Sequence, residues 1–135
     1  MMICLDANCV IYLIEKNPFW GPKVVARLAT AKAAGDTVAV CDLARAECLI
    51  GPLKTGDAAV LADYQRFFSS SAVQMLPVTP AVCERAAEVR VASFMKIKLP
   101  DALYLSTAIE HGCGRFLTND AQLVRCSAIS VEVLA

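Results

Sequence analysis

The chain has little of what marks several large functional classes. It has one histidine, His111, beside Gly112 at the end of a helical stretch, where an imidazole meets the last carbonyls. No histidine base is therefore assigned. It has no excess charge, with thirteen basic and thirteen acidic side chains. A global attraction to nucleic acid is thus excluded, and any such binding must rest on metal ions and local Lys or Arg. The seven cysteines are odd in number and form no C-x-x-C pair. They read as small core residues in a reducing compartment. There is no internal repeat, low-complexity tract or linker, and the Ser69–Ser71 run is only a loop. The N-terminus lacks a basic leader, Asp6 interrupts its apolar stretch, and Cys9 to Ile14 is too short to span a bilayer. This predicts a soluble, cytoplasmic protein without a membrane partner.

What is present is a large apolar fraction, 57% of 135 residues, enough to bury the core of one domain over 1–135. Five strand-like runs rich in Val, Ile, Leu and Cys stand at Met2–Leu5, Thr37–Cys41, Val73–Val78, Arg115–Thr118 and Ile129–Val133. All but the last are followed by helical segments, which predicts a parallel α/β sheet covered on both faces. The helices are punctuated by Pro22 and Gly35, by Thr79-Pro80, and by Pro100 with His111-Gly112. The stretches Val10–Ile14, Val24–Leu28 and Val60–Phe68 carry more apolar side chains than one buried stripe needs, so part of that surface is expected to face a partner.

Four acids stand out against this background. Asp6 and Asp120 each follow a strand and precede a helix, a favoured capping position. Asp101 follows Pro100 in a first helical turn, where a carboxylate meets the positive end of the macrodipole. Glu47 shares the i, i+3, i+4, i+7 spacing of Leu43, Ala46 and Ile50, which predicts an inward stripe. A carboxylate there is costly unless paired. Asp101 heads a similar stripe through Tyr104, Leu105 and Ala108, while Glu110 falls on the opposite side and reads as a solvated charge. Asp6 and Asp120 lie just beyond the carboxyl ends of strands, where open α/β sheets place ligand crevices. If strands one and four are neighbours, the four acids converge, and carboxylates that close require hard cations to neutralise them. The constellation implies Mg2+ or Mn2+.

These stretches carry a family resemblance. Ile3-Cys4-Leu5-Asp6-Ala7-Asn8-Cys9-Val10-Ile11-Tyr12-Leu13, Ala46-Glu47-Cys48-Leu49-Ile50-Gly51, Leu99-Pro100-Asp101-Ala102-Leu103-Tyr104-Leu105-Ser106-Thr107-Ala108 and Phe116-Leu117-Thr118-Asn119-Asp120 resemble, in order, the acidic motifs of PIN-domain nucleases. Each motif alone is weak, but four in order over nearly the whole chain form a specific signal. The size and lack of appended domains are similar to VapC toxins of toxin–antitoxin pairs. The resemblance implies a three-layer α/β/α fold with a five-stranded parallel sheet ordered 3-2-1-4-5. It also implies endoribonuclease activity, a homodimer, and a VapB-type antitoxin whose tail blocks the active-site groove.

On the same resemblance Asp6, Glu47, Asp101 and Asp120 are metal ligands, directly or through water. Asn8 and Thr118 flank two of them and either hydrogen-bond the carboxylates or cap the adjacent helices. Lys96 and Lys98 precede Asp101 and serve either a phosphate or a solvated helix end. Arg85 and Arg90 read as surface charges, and Asp42 as the cap of the helix holding Glu47. Phe19, Trp20, Phe67 and Phe68 are available to stack bases, although packing is the commoner use of such residues.

The chemistry implied is metal-assisted phosphodiester hydrolysis without a covalent enzyme intermediate, leaving 3′-hydroxyl and 5′-phosphate ends on RNA. Two other readings compete. A receiver-like signalling module would need a phosphoacceptor Asp after the third strand, where the chain has Val78-Thr79-Pro80, and a Lys after the fifth, where it stops two residues past Val133. A PIN nuclease of RNA processing or DNA repair shares the acids but not the antitoxin.

Overall fold

A computed structural model describes residues 1–135. The chain runs β1 (Met2–Leu5), α1 (Ala7–Ile14), α2 (Trp20–Ala33), β2 (Thr37–Cys41), α3 (Leu43–Thr55), α4 (Ala58–Ser69), β3 (Val73–Leu76), α5 (Pro80–Ala92), α6 (Leu99–Glu110), β4 (Arg115–Thr118), a 3-10 turn (Ala121–Arg125) and β5 (Ser130–Val133). All pairings are parallel and the order is β3-β2-β1-β4-β5. Each of the first three crossovers is a pair of helices. The helices α1 to α4 pack on one another, while α5 and α6 form a separate pair touching β2 and β4. The result is the three-layer α/β/α arrangement expected from the alternation.

The elements follow from local chemistry. Ile3, Cys4 and Leu5 in β1, with Ala39, Val40 and Cys41 in β2, are buried on both faces, which is what a central parallel strand demands. Two helices start with side-chain caps, Thr79 accepting from the Val82 N–H (3.3 Å) and Asp57 from the Val60 N–H (3.1 Å). Helix α3 stops at Gly56, whose φ of +71° is a left-handed conformation that glycine adopts without strain. Where α1 turns into α2, a Cβ on Gly21 would stand 3.0 Å from the Tyr12 carbonyl, so a larger residue there would push that backbone back by a few tenths of an ångström. One hydrophobic cluster fills the interior, with Phe116 and Leu117 of β4, Tyr104 and Leu105 of α6 and Tyr64 of α4 among its fully buried side chains. Burying each such large side chain contributes about 1.5–3 kcal/mol.

Several expectations need correction. β3 ends at Leu76 rather than Val78, because Pro77 has no N–H for the ladder, and β5 begins at Ser130 rather than Ile129. Six cysteines are buried and free as expected, but Cys83 is exposed. The excess apolar surface lies partly elsewhere. In the expected stretches Val10, Val24, Tyr64 and Phe68 are absorbed by the core and Val25 is exposed, and beyond them Ile50 and Leu53 on α3 are each 64% exposed and Phe94, between α5 and α6, is 87% exposed. No helix is long and apolar enough to cross a membrane.

Candidate functional site

The site begins with the register of the two central strands. Leu5 of β1 is paired with Leu117 of β4, so the next residues, Asp6 and Thr118, emerge side by side at the carboxyl edge of the sheet. The Asp6 N–H continues the ladder to the Leu117 carbonyl (2.9 Å). Thr118 is wholly buried, and its hydroxyl donates to Asp6 Oδ2 at 2.6 Å while accepting from the Asp120 N–H at 3.1 Å. One hydroxyl thus ties the acid after β1 to the backbone of the acid after β4. Asp6 occupies the capping position of α1 yet makes no well-formed side-chain capping bond; the Ala7 N–H stabilises its carboxylate less than the Thr118 hydroxyl does.

Electrostatics assemble the remaining acids around it. Asp6 is only 6% exposed. Burial is the main force pushing its carboxyl up to about 6 from an ordinary 3.8; the Thr118 hydrogen bond opposes this, and the charges of Asp101 and Glu47 add to it. Asp101 is also raised, first by its own burial and then by Asp120, while Lys98 pulls it back. Asp6 therefore feels Asp101 and Glu47, and Asp101 feels Asp120. Four acids from four parts of the chain share one electrostatic neighbourhood, flanked by α3 on one side and α6 on the other.

The individual placements differ in part from expectation. Glu47 is exposed, and the buried stripe of α3 is Ala44, Cys48 and Pro52 rather than Leu43, Ala46, Glu47 and Ile50. Small side chains form the inward face, and Glu47, 100° from Cys48, stands beside that face rather than on it. Asp120 does cap the 3-10 turn, accepting from the Gln122 N–H at 2.9 Å through Oδ1. Asn8 reaches no carboxylate; its amide donates to Asn119 Oδ1 at 3.4 Å. Asp42 sits at the start of α3 but pairs with Arg45 (3.0 Å) instead of capping. His111 Nε2 faces the Pro77 carbonyl at 2.9 Å, not the carbonyls of its own helix. Glu110 and Arg85 are joined by an ion pair at 2.8 Å, and Arg90 donates to the Ile97 carbonyl at 3.0 Å, so neither arginine is merely a solvated charge. Lys96 and Lys98 are exposed.

Two polar residues escaped the sequence reading. Asn119, between Thr118 and Asp120, donates to the Tyr12 hydroxyl at 2.7 Å and accepts from Asn8, linking the site to α1. Its place between two site residues was the available signal. Tyr104 looked like a core residue, yet its buried hydroxyl has no hydrogen-bond partner. Of the aromatics, Phe68 is core, Phe67 packs edge-on against it and Trp20 stacks on Tyr12, leaving Phe19, 62% exposed, with Lys23 over its ring.

No three Asp, Glu, His or Cys side chains stand close enough to clasp one ion directly. The donor chemistry nevertheless fits a hard divalent cation. The set is carboxylate oxygen throughout, Asp6 and Asp101 are both raised in part by the negative charge of their acidic neighbours, and Mg2+ commonly takes one or two carboxylates while keeping several waters.

A cluster of acids at the carboxyl edge of a 3-2-1-4-5 parallel sheet marks a class of α/β proteins whose site is built from carboxylates rather than from histidine or cysteine. The chain belongs to the PIN-domain family, whose model matches residues 3–128. It is similar in fold to a chain of the crystal structure of VapBC2 from Rickettsia felis bound to a DNA fragment from the promoter, with 22% identity, full coverage of both chains and a TM-score of 0.82. A chain of DNA-bound VapBC from Salmonella typhimurium matches at 17% identity, covering 100% of this chain and 99% of that one, with a TM-score of 0.79. FitAcB from Neisseria gonorrhoeae matches at 19% identity over 96% of each chain, with a TM-score of 0.71. No curated protein matches the sequence.

Proposed function

We propose that the chain is a divalent-cation-dependent endoribonuclease, the VapC-type toxin of a toxin–antitoxin pair, acting as one domain over residues 1–135. The observation that carries the reading is Asp6, nearly buried at the join of β1 and β4, with its carboxyl pushed up to about 6 in the presence of Asp101 and Glu47. A fold does not otherwise benefit from gathering acids at such a place. Asp6, Glu47, Asp101 and Asp120 would hold Mg2+ or Mn2+. A cation bound there supplies positive charge to the scissile phosphate and lowers the pKa of water.

The chain's own groups do the positioning. Thr118 fixes the Asp6 carboxylate through its hydroxyl and keeps Asp120 at the correct height through the Asp120 N–H. The hydrogen bond also favours the ionised form of Asp6 against burial, so the acid is available near neutral pH. Lys98, near enough to Asp101 to offset part of the upward shift that burial and Asp120 impose, offers positive charge beside the site for a backbone phosphate. Hydrolysis assisted in this way leaves a 3′-hydroxyl and a 5′-phosphate.

The toxin role is supported by the full-length similarity to chains of VapBC and FitAB complexes. On this reading the partners are an RNA substrate, a second copy in a homodimer and a VapB-type antitoxin, in the cytoplasm. The exposed Ile50 and Leu53, beside Glu47 on α3, offer apolar area for such a contact. Expression with and without the neighbouring reading frame tests the role. Growth arrest relieved by a small co-expressed protein is expected; growth unaffected by the chain alone would argue for a PIN nuclease of another pathway. End-labelled products carrying 2′,3′-cyclic phosphate would contradict the hydrolytic chemistry.

A further inference from the structure

Helix α6 carries Asp101 and, one turn later, Tyr104. Tyr104 is 1% exposed, and its hydroxyl is sealed from solvent without a hydrogen-bond partner. Buried tyrosine hydroxyls normally have one, because leaving a polar group unpaired in the interior is costly. The groups around this hydroxyl are Glu47, Cys41 and Asp6; burial and then Glu47, by its charge and by lying within hydrogen-bonding reach, hold the phenol proton on firmly, although no bond of ordinary length and angle joins the two. The other two neighbours act on it through charge alone, and each already has a bond of its own. The Cys41 thiol meets the Thr107 hydroxyl at 3.3 Å, and Asp6 Oδ2 is taken by Thr118. Glu47 is exposed and enters no ion pair.

We propose that the Tyr104 hydroxyl is a positioning donor for Glu47, holding that carboxylate turned inward toward Asp6 and Asp101 when a divalent cation occupies the crevice. The inference rests on the carboxylate-site reading above. It joins two observations, a buried donor without a well-formed bond to the acceptor it faces, and that acceptor, Glu47, left exposed and without an ion pair. One movement of the Glu47 side chain satisfies both. Tyr104 acts through Glu47 and touches neither the ion nor the RNA.

The test is Mn2+ binding to the purified full chain, measured by calorimetry without RNA, for the wild type, Tyr104→Phe, Glu47→Ala and the double variant, beside thermal melts in EDTA. Tyr104→Phe is expected to weaken Mn2+ binding by roughly ten- to a hundredfold, the scale of an outer-shell partner. In the Glu47→Ala background the same change should have no effect. In EDTA, Tyr104→Phe should melt at or above the wild type, since it removes an unpaired buried hydroxyl. Unchanged affinity, or an equal loss in both backgrounds, would overturn the proposal. So would a lower melting point in EDTA, which would mean that the hydroxyl already has a partner. If the wild type binds no Mn2+ that Asp6→Asn abolishes, the carboxylate-site reading itself fails and the proposal falls with it. Binding that Tyr104→Phe leaves intact refutes Tyr104 alone.

Discussion

Replacing Asp6 with Asn should make the ion-free protein more stable at neutral pH. The carboxyl of Asp6 titrates near 6 in the fold against 3.8 when unperturbed, a shift of about two pH units. Each unit corresponds to about 1.4 kcal/mol, so ionising Asp6 inside the fold costs about 3 kcal/mol. The sign follows from proton linkage. The folded state holds the proton more tightly than the unfolded chain, so stability is greatest below the unfolded pKa and is lost as pH rises through the interval from about 4 to about 6. Asparagine keeps an oxygen that can accept the Thr118 hydroxyl but never ionises. Urea unfolding in EDTA at a series of pH values should therefore show wild type and Asp6→Asn converging near pH 4. They should separate by pH 7.5, with the variant more stable by up to about 3 kcal/mol. A variant less stable than the wild type at pH 7.5, or a difference that does not change with pH, would refute the claim that the fold bears a penalised charge at this position.

Other consequences are as direct. Thr118→Val removes a hydrogen bond to a charged group, worth about 1.5–3 kcal/mol, so the Asp6 titration followed by NMR in EDTA should move up by about one to two pH units; an unmoved midpoint would show that the bond does not govern the acid. Glu132 is held below its ordinary range by Arg27 and then by Arg115, so Glu132→Gln should cost about 1–3 kcal/mol at pH 7. Since the folded pKa is lowered, that cost should fade in unfolding experiments as pH falls through the ordinary Glu value of 4.5, and a cost constant down to pH 3 would contradict it. Phe116→Ala, in the middle of the sheet, should lose about 3–5 kcal/mol by denaturant unfolding, and a loss below about 1 kcal/mol would mean the site collapses around the gap.

Much of the architecture could be read from the chain because central parallel strands need uninterrupted apolar runs. β1, β2 and β4 stand where Val, Ile, Leu and Cys cluster, bounded by Asp6, Asp42 and Asn119. The error at Val78 has a chemical cause, since apolar character continued past a proline that ends pairing. Helix α3 misled for another reason. Two of its four large apolar side chains, Ile50 and Leu53, face outward, while small Ala44 and Cys48 are the buried ones, so following the spacing of Leu43 and Ile50 selected the wrong stripe and turned Glu47 inward. Nor was the bond between Thr118 and Asp6 visible in any local spacing, because it joins residues 112 positions apart and exists only through the β1–β4 register. Tyr104 was legible only as core, since a buried hydroxyl without an acceptor is a property of the folded surroundings and not of the pattern.

The central claim is that these acids cut RNA with a divalent cation. Purified protein free of any antitoxin should be incubated with total RNA in Mg2+, in Mn2+ and in EDTA, alongside Asp6→Asn prepared identically and shown to be folded. The account predicts cleavage in either cation, none in EDTA and none by Asp6→Asn; equal cleavage by both proteins, or cleavage that survives EDTA, would contradict it.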